Sequence, residues 1–184
     1  MAGYGFSRRE FSARMGAAAA GMGITGAWAA DISPGLAGEI SRSNAAIHQQ
    51  VIFAQRAARV YAALTVSEQF DRVAASGDAM NSRMKTALGS APTHIDARPG
   101  GAFSLFGGYV TGFNLEIVPN MRLVQAWRAG SWAPGIYSIA RFVLSEEGAA
   151  TRLVFDHTGF PNEAADHLAM GWHDNYWKPM ARVL

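Results

Sequence analysis

His157 is the titratable side chain best placed for chemistry. It alternates with Leu153 and Phe155, so in an extended segment it points to the face that carries apolar neighbours. A histidine there can shuttle a proton or orient a carbonyl, with Glu116 or Asp156 as the carboxylate that would set its tautomer. The plainer alternative is a core histidine satisfied by a backbone carbonyl or by Glu116, Asp156 or Arg128. Glu116 and Arg128 lie on neighbouring extended segments, where they can meet as a cross-strand ion pair.

Other reactive arrangements are missing. His167 and His173 are six residues apart, on different faces of a helix, and no third ligand accompanies them, so no metal is expected. Ser131 and Ser138 lack a nucleophile-elbow context. No glycine-rich loop leads into a helix as a phosphate cradle does, and no cofactor is implied. The chain has no cysteine, which removes disulfides, thiolate catalysis, cysteine metal sites and a lipid-modified cysteine anchor.

The 184 residues suffice for one ordinary domain and carry a formal charge of +2. That excess sits in residues 1–29, where Arg8, Arg9 and Arg14 outnumber Glu10; the rest holds 13 basic and 13 acidic side chains. The basic residues are scattered singly, unlike the stripe that binds nucleic acid. Residues 1–29 have the three parts of a signal peptide. Ser7-Arg8-Arg9-Glu10-Phe11 follows the twin-arginine pattern, although Ser12 and Ala13 depart from it. A 14-residue apolar run from Met15 to Trp28 follows, diluted by glycine and short of the ~20 residues that span a bilayer. Ala27 and Ala29 supply the small residues a signal peptidase reads. The alternative is an amphipathic N-terminal helix with paired arginines. The leader predicts export through the twin-arginine translocase and a periplasmic or secreted domain, its oligomeric state unspecified. Residues 30–45 read as a flexible spacer rich in Gly, Ser and Pro.

From residue 46 to 184 the pattern is that of one domain. Ile47–Phe53 predicts a strand, Ala57–Leu64 and Ser67–Ala75 two short helices with Ser67 as N-cap, and Asp78–Leu88 a further helical or irregular piece. His94–Asp96 is a possible short strand. Five strands follow: Gly100–Phe106, a Gly107-Gly108 two-residue turn, Tyr109–Val118, Arg122–Arg128, Ile136–Leu144, a Glu146-Glu147-Gly148 turn and Thr151–Thr158. A helix over Asn162–Trp177 places Leu168, Trp172, Tyr176 and Met180 on one stripe, and Pro179 should end or kink it near Lys178. A long helix across a curved antiparallel meander is an α+β architecture, with room for a cavity between the layers.

In order and spacing, Gly100-Gly101-Ala102-Phe103-Ser104-Leu105, Gly108–Pro119, Leu123–Arg128, Thr151–Pro161 and Gly171-Trp172 resemble the central signature of the activator of heat-shock protein 90 ATPase homologue family, within the START-like (SRPBCC) superfamily. The resemblance implies a START-like, or Bet v 1-like, helix-grip fold: a seven-stranded curved antiparallel sheet wrapped around a long C-terminal helix, enclosing a hydrophobic pocket. Trp127, Phe142, Phe155, His157, Trp172 and Tyr176 are the candidate lining of that pocket, against the alternative that each is plain core. The partner expected is a small hydrophobic or amphipathic ligand. A cyclase, dehydratase or hydrolase using the same cavity, with His157 as acid and base, is the alternative. Activation of the chaperone ATPase requires a cytosolic chaperone and ATP, which an exported chain would not meet.

Overall fold

Period-two alternation builds the sheet against which the helices pack. In the computed structural model, which describes residues 46–77 and 89–184, seven strands form one antiparallel sheet. They are β1 (Ala46–Phe53), β2 (His94–Ile95), β3 (Ala102–Leu105), β4 (Val110–Val118), β5 (Arg122–Ala129), β6 (Ser138–Glu147) and β7 (Ala150–Thr158). Their order is β1-β7-β6-β5-β4-β3-β2, so β2 to β7 form a meander and the first strand closes onto the last. The predicted leader at 1–29, the spacer at 30–45 and the piece at Asp78–Leu88 lie outside the described residues.

One face of the sheet is buried. Leu123 and Trp127 of β5, Phe142 and Leu144 of β6, and Leu153 and Phe155 of β7 all point into the core. The register sets Phe142 opposite both Leu123 and Phe155, which makes a continuous apolar row across three strands. Polar residues on that face are paired. Gln125 donates to the Asn114 side-chain oxygen at 3.0 Å, and Asn114 donates to the Asp96 carbonyl at 2.8 Å. An irregularity between Asn114 and Glu116 shifts the register of β4 against β5.

Helices α1 (Ala57–Thr65) and α2 (Ser67–Ser76) pack their Val60, Leu64, Phe70 and Val73 into the same core. Ser67 is not the N-cap expected: Val66 holds that position, and the Ser67 hydroxyl accepts the Ile95 N–H at 3.1 Å. The hydroxyl is spent on fastening the short edge strand β2. The Gly107-Gly108 turn is also longer than two residues. Phe106, Gly107 and Gly108 all have positive φ (51°, 69° and 95°), and β4 begins only at Val110. Phe106 leaves the ladder so that its ring can bury against Phe70, with centroids 5.3 Å apart. The turn after β6 is shorter than expected, because the ladder runs on through Glu146 to Glu147.

The C-terminal helix begins with a single tight turn at Asn162–Ala164 and continues as α3 (Ala165–Trp172). Pro179 does not stop it. The helix widens into a π-type turn over His173–Trp177, where the Lys178 N–H reaches back five residues to the His173 carbonyl, and α4 (Lys178–Val183) follows. The wider turn accommodates a proline whose ring would otherwise strike the preceding α-helical turn. Gln49 of β1 ties the helix down, donating to the Ala169 carbonyl at 3.0 Å and accepting the Trp177 indole N–H. Among the described residues no helix is long and apolar enough to cross a membrane.

Candidate functional site

A cavity of about 390 Å³ lies between the helix and one end of the sheet. Its floor is the end of the β4–β5 ladder, where Val110 faces Ala129. Trp127 of β5, Trp172 of α3 and Tyr176 of the π-type turn form its inner wall, with Phe106 from the left-handed loop. Trp132 packs edge-on to Trp127 at 5.4 Å and closes one side. Leu168 and Gly171 of α3 form the roof. The mouth is polar: Ser131 and Tyr109, hydrogen-bonded at 3.1 Å, His167 and Asp174 line it, beside an exposed Met170. The volume and the apolar wall with a few polar groups are those of a small-molecule site.

Of the six side chains predicted to line the pocket, Trp127, Trp172 and Tyr176 do so. Phe142, Phe155 and His157 do not. They lie on the same inward face but further along it, packed solid behind Trp172. Phe155 touches its ring at 4.3 Å and Phe142 at 5.8 Å. The helix packs on the sheet there, and the cavity opens toward Ala129.

His157 is wholly buried and fully hydrogen-bonded. The Trp172 indole N–H donates to its Nδ1 at 2.9 Å. Indole is a donor only, so Nδ1 accepts and the ring proton sits on Nε2. That proton points to Ser138 Oγ at 2.6 Å, and the Ser138 hydroxyl donates to the Trp127 carbonyl at 2.9 Å. One chain of bonds thus joins α3, β7, β6 and β5. Burial lowers the His157 pKa to about 3, so the imidazole is neutral. The structure does not bring His157 together with Glu116, which pairs with Arg122 at 2.9 Å, and the guanidinium lowers the Glu116 pKa. Asp156 points the other way, toward His48 at 2.7 Å and Arg141 at 3.2 Å. Arg128 does not meet Glu116 either. It donates to the Trp132 carbonyl at 2.8 Å, and its guanidinium lies 5.9 Å from the centre of the Tyr137 ring. The candidate acid–base residues His157, Glu116 and Asp156 are therefore dispersed.

Sequence reasoning missed Phe106, Trp132 and Gly171 as wall residues and Ser138 as the partner of His157. Phe106 lines the cavity because it adopts a left-handed backbone, which a glycine pair beside it hints at without specifying. Among the described residues no cluster of three or more metal-ligating side chains occurs.

The family model described as "Activator of Hsp90 ATPase homolog 1-like protein" matches residues 54–184. The chain is 36% identical over 93 residues to an uncharacterised protein of Schizosaccharomyces pombe, covering 50% of this chain and 28% of that protein. It is 27% identical over 88 residues to the activator of 90 kDa heat shock protein ATPase homolog 1 of Homo sapiens, covering 48% and 26%. The matched segment thus spans about a quarter of these curated relatives. Among solved structures, an HSP90 activator from Plasmodium falciparum matches with a TM-score of 0.62 at 19% identity, over 75% of this chain and 94% of that one. A protein from Chromobacterium violaceum matches with a TM-score of 0.56 at 19% identity, over 76% and 96%. These likenesses establish the fold: the seven-stranded curved antiparallel sheet and C-terminal helix are those expected.

Proposed function

Because the chain belongs to the Activator of Hsp90 ATPase homolog 1-like family, with the START-like fold, we propose that it binds a small hydrophobic or amphipathic molecule between sheet and C-terminal helix, as an exported domain. The observation that carries the binding reading is the cavity of about 390 Å³, walled by Trp127, Trp172, Tyr176 and Phe106. Large aromatic rings around a void of that size leave dispersion contacts unmade, which an apolar guest would supply.

Gly171 gives the direct test. It lies in α3 on the cavity roof, and a Cβ added there meets nothing within 4 Å. Gly171→Leu should fill the void without backbone strain and gain about 0.5–1 kcal/mol of helix propensity. Titration with the neutral fluorophore N-phenyl-1-naphthylamine should give saturable binding to the unaltered protein and at least tenfold weaker binding to Gly171→Leu, whose melting temperature should be equal or higher. A screen of apolar and amphipathic compounds with neither saturable binding nor thermal stabilisation would defeat the reading.

Export rests on the Arg8-Arg9 motif, the short apolar run and the Ala27/Ala29 cleavage pattern. It makes the twin-arginine translocase a transient partner and places the mature domain in the periplasm or outside the cell. Replacing both arginines (Arg8→Lys with Arg9→Lys) should leave uncleaved chain in the cytoplasm by fractionation and immunoblot; unchanged export would refute this route. The Hsp90-related activity in the names of the relatives belongs to proteins about four times the matched length, and an exported domain would not encounter that cytosolic chaperone.

A further inference from the structure

The mouth of the cavity carries a charge that its interior lacks. Among the described residues that line it, Asp174 is the only Asp, Glu, Lys or Arg. The helix places it there: His167, Gly171 and Asp174 follow at intervals of four and three residues and share the face turned to the cavity. Gly171 leaves that face bare between the histidine and the carboxylate, since a Cβ there would meet nothing within 4 Å. Only one of the carboxylate oxygens is engaged among the described residues. His173 Nδ1 lies 2.8 Å from Asp174 Oδ1, and Oδ2 has no partner there. The remaining polar groups at the mouth include the Ser131 and Tyr109 hydroxyls, bonded to each other at 3.1 Å, which are neutral hydrogen-bonding groups.

Asp174 therefore sets the sign of the guest. A carboxylate or phosphate would bring like charge against it, with no lining cation to receive the anion. A cation is attracted instead, and the half-buried rings of Trp132 and Tyr109 beside the mouth add to that attraction. The cost of desolvation is small, because the Asp174 side chain is 47% exposed and a cation beside it keeps part of its water. The bases that flank this region in sequence do not line the cavity. Arg128 is turned to the outer face of β5, on the Trp132 carbonyl and beside Tyr137, and Lys178 is exposed beyond the lining.

Resting on the binding reading above, we infer that the guest is an amphipathic amine, with an apolar body inside the cavity and a protonated amino group at the mouth beside Asp174. The body supplies the burial, and the ammonium donates to the open carboxylate oxygen while staying in reach of solvent.

Probes of nearly equal size and different charge test this by calorimetry on the full chain at about pH 7.5. They are naphthylethylamine, naphthylethanol and naphthylacetate, with phenethylamine, phenylethanol and phenylacetate as a smaller set. In dilute buffer the better-fitting amine should bind about fivefold tighter than its alcohol and at least about tenfold tighter than its carboxylate. Raising the salt to about 0.5 M should cut the amine advantage to about twofold and leave the alcohol within about twofold of its former affinity. Asp174→Asn keeps an oxygen for His173 but removes the charge. It should bring amine and alcohol within about twofold of each other with little change in the alcohol. Gly171→Leu should weaken the amine at least about tenfold, which ties its binding to the cavity and not to surface charge alone. An amine bound no tighter than the alcohol, a preference for the carboxylate, an amine advantage that survives Asp174→Asn, or amine binding untouched by Gly171→Leu overturns this inference. Alcohol binding that Gly171→Leu weakens would still leave the hydrophobic site standing. Failure of every probe to bind overturns the pocket reading as well.

Discussion

Trp172→Ala should destabilise the domain by about 4 kcal/mol, the largest effect expected of any single substitution here. The ring is 2% exposed and lies at the centre of the aromatic core. Its centroid is 4.2 Å from Tyr176, 4.3 Å from Phe155, 5.5 Å from His157 and 5.6 Å from Trp127. Alanine would forfeit those contacts and leave a void that the stiff sheet beneath cannot close. It would also strand His157 Nδ1, whose donor is the Trp172 indole. A loss of this size approaches the whole stability of a small domain, so the variant should report as a molten or unfolded chain. Trp172→Phe separates the contributions: it keeps an aromatic ring but deletes the N–H, and should cost roughly 2 kcal/mol in urea unfolding, with an unchanged m-value. A loss below about 1 kcal/mol for Trp172→Ala would mean that this tryptophan does not hold the helix on the sheet.

The same residue shows what a reader of the sequence can and cannot see. Trp172 and Tyr176 were legible because they share a helical stripe with Leu168, and Trp127 because it alternates with Leu123 and Gln125 on β5. Both patterns are local, set by the geometry of one helix or one strand. They identify the inward face. They do not tell where along that face the helix stands off, and so Phe142 and Phe155, equally inward, turned out to be core and not wall. The distance between layers depends on side chains from several elements at once, including the left-handed Phe106 and the loop residue Trp132.

Register across the chain was the second thing hidden. His157 has Ala140 opposite it, but its partner Ser138 is 19 residues earlier at the start of β6, and Trp172 is 15 residues later on another layer. No spacing rule connects them. Pro179 interrupts the regular helix close to Lys178 as expected, but the form of the interruption was hidden: the backbone changes to a π-type turn, in which the Lys178 N–H bonds to the His173 carbonyl, and the helix then resumes. The outcome was chosen by packing, since the turn presents both Tyr176 and Trp177 to the core.

Acid should weaken this domain through His157 in a way that a single substitution can isolate. The folded-state pKa is lowered from 6.5 to about 3 by burial. Above about pH 6.5 the imidazole is neutral in both folded and unfolded chains, and its network contributes in full. As pH falls below 6.5 the unfolded chain takes up a proton that the folded chain refuses until about pH 3, so stability drops across that window. The slope from this one group is about 1.4 kcal/mol per pH unit, which amounts to roughly 2–3 kcal/mol between neutrality and pH 4.5. His157→Gln supplies the control. Its side chain can still donate to Ser138 but has no proton to gain, and it should be less stable at pH 7.5, where the indole of Trp172 loses its acceptor. Its stability should nonetheless fall less steeply with acid, so that the difference between the two proteins narrows by about 1 kcal/mol or more from pH 7.5 to pH 5. Surface carboxylates titrate alike in both and cancel in that difference. Parallel pH profiles would show that the ring of His157 is reached by protons in the folded state, and the neutral clamp between helix and sheet would have to be abandoned.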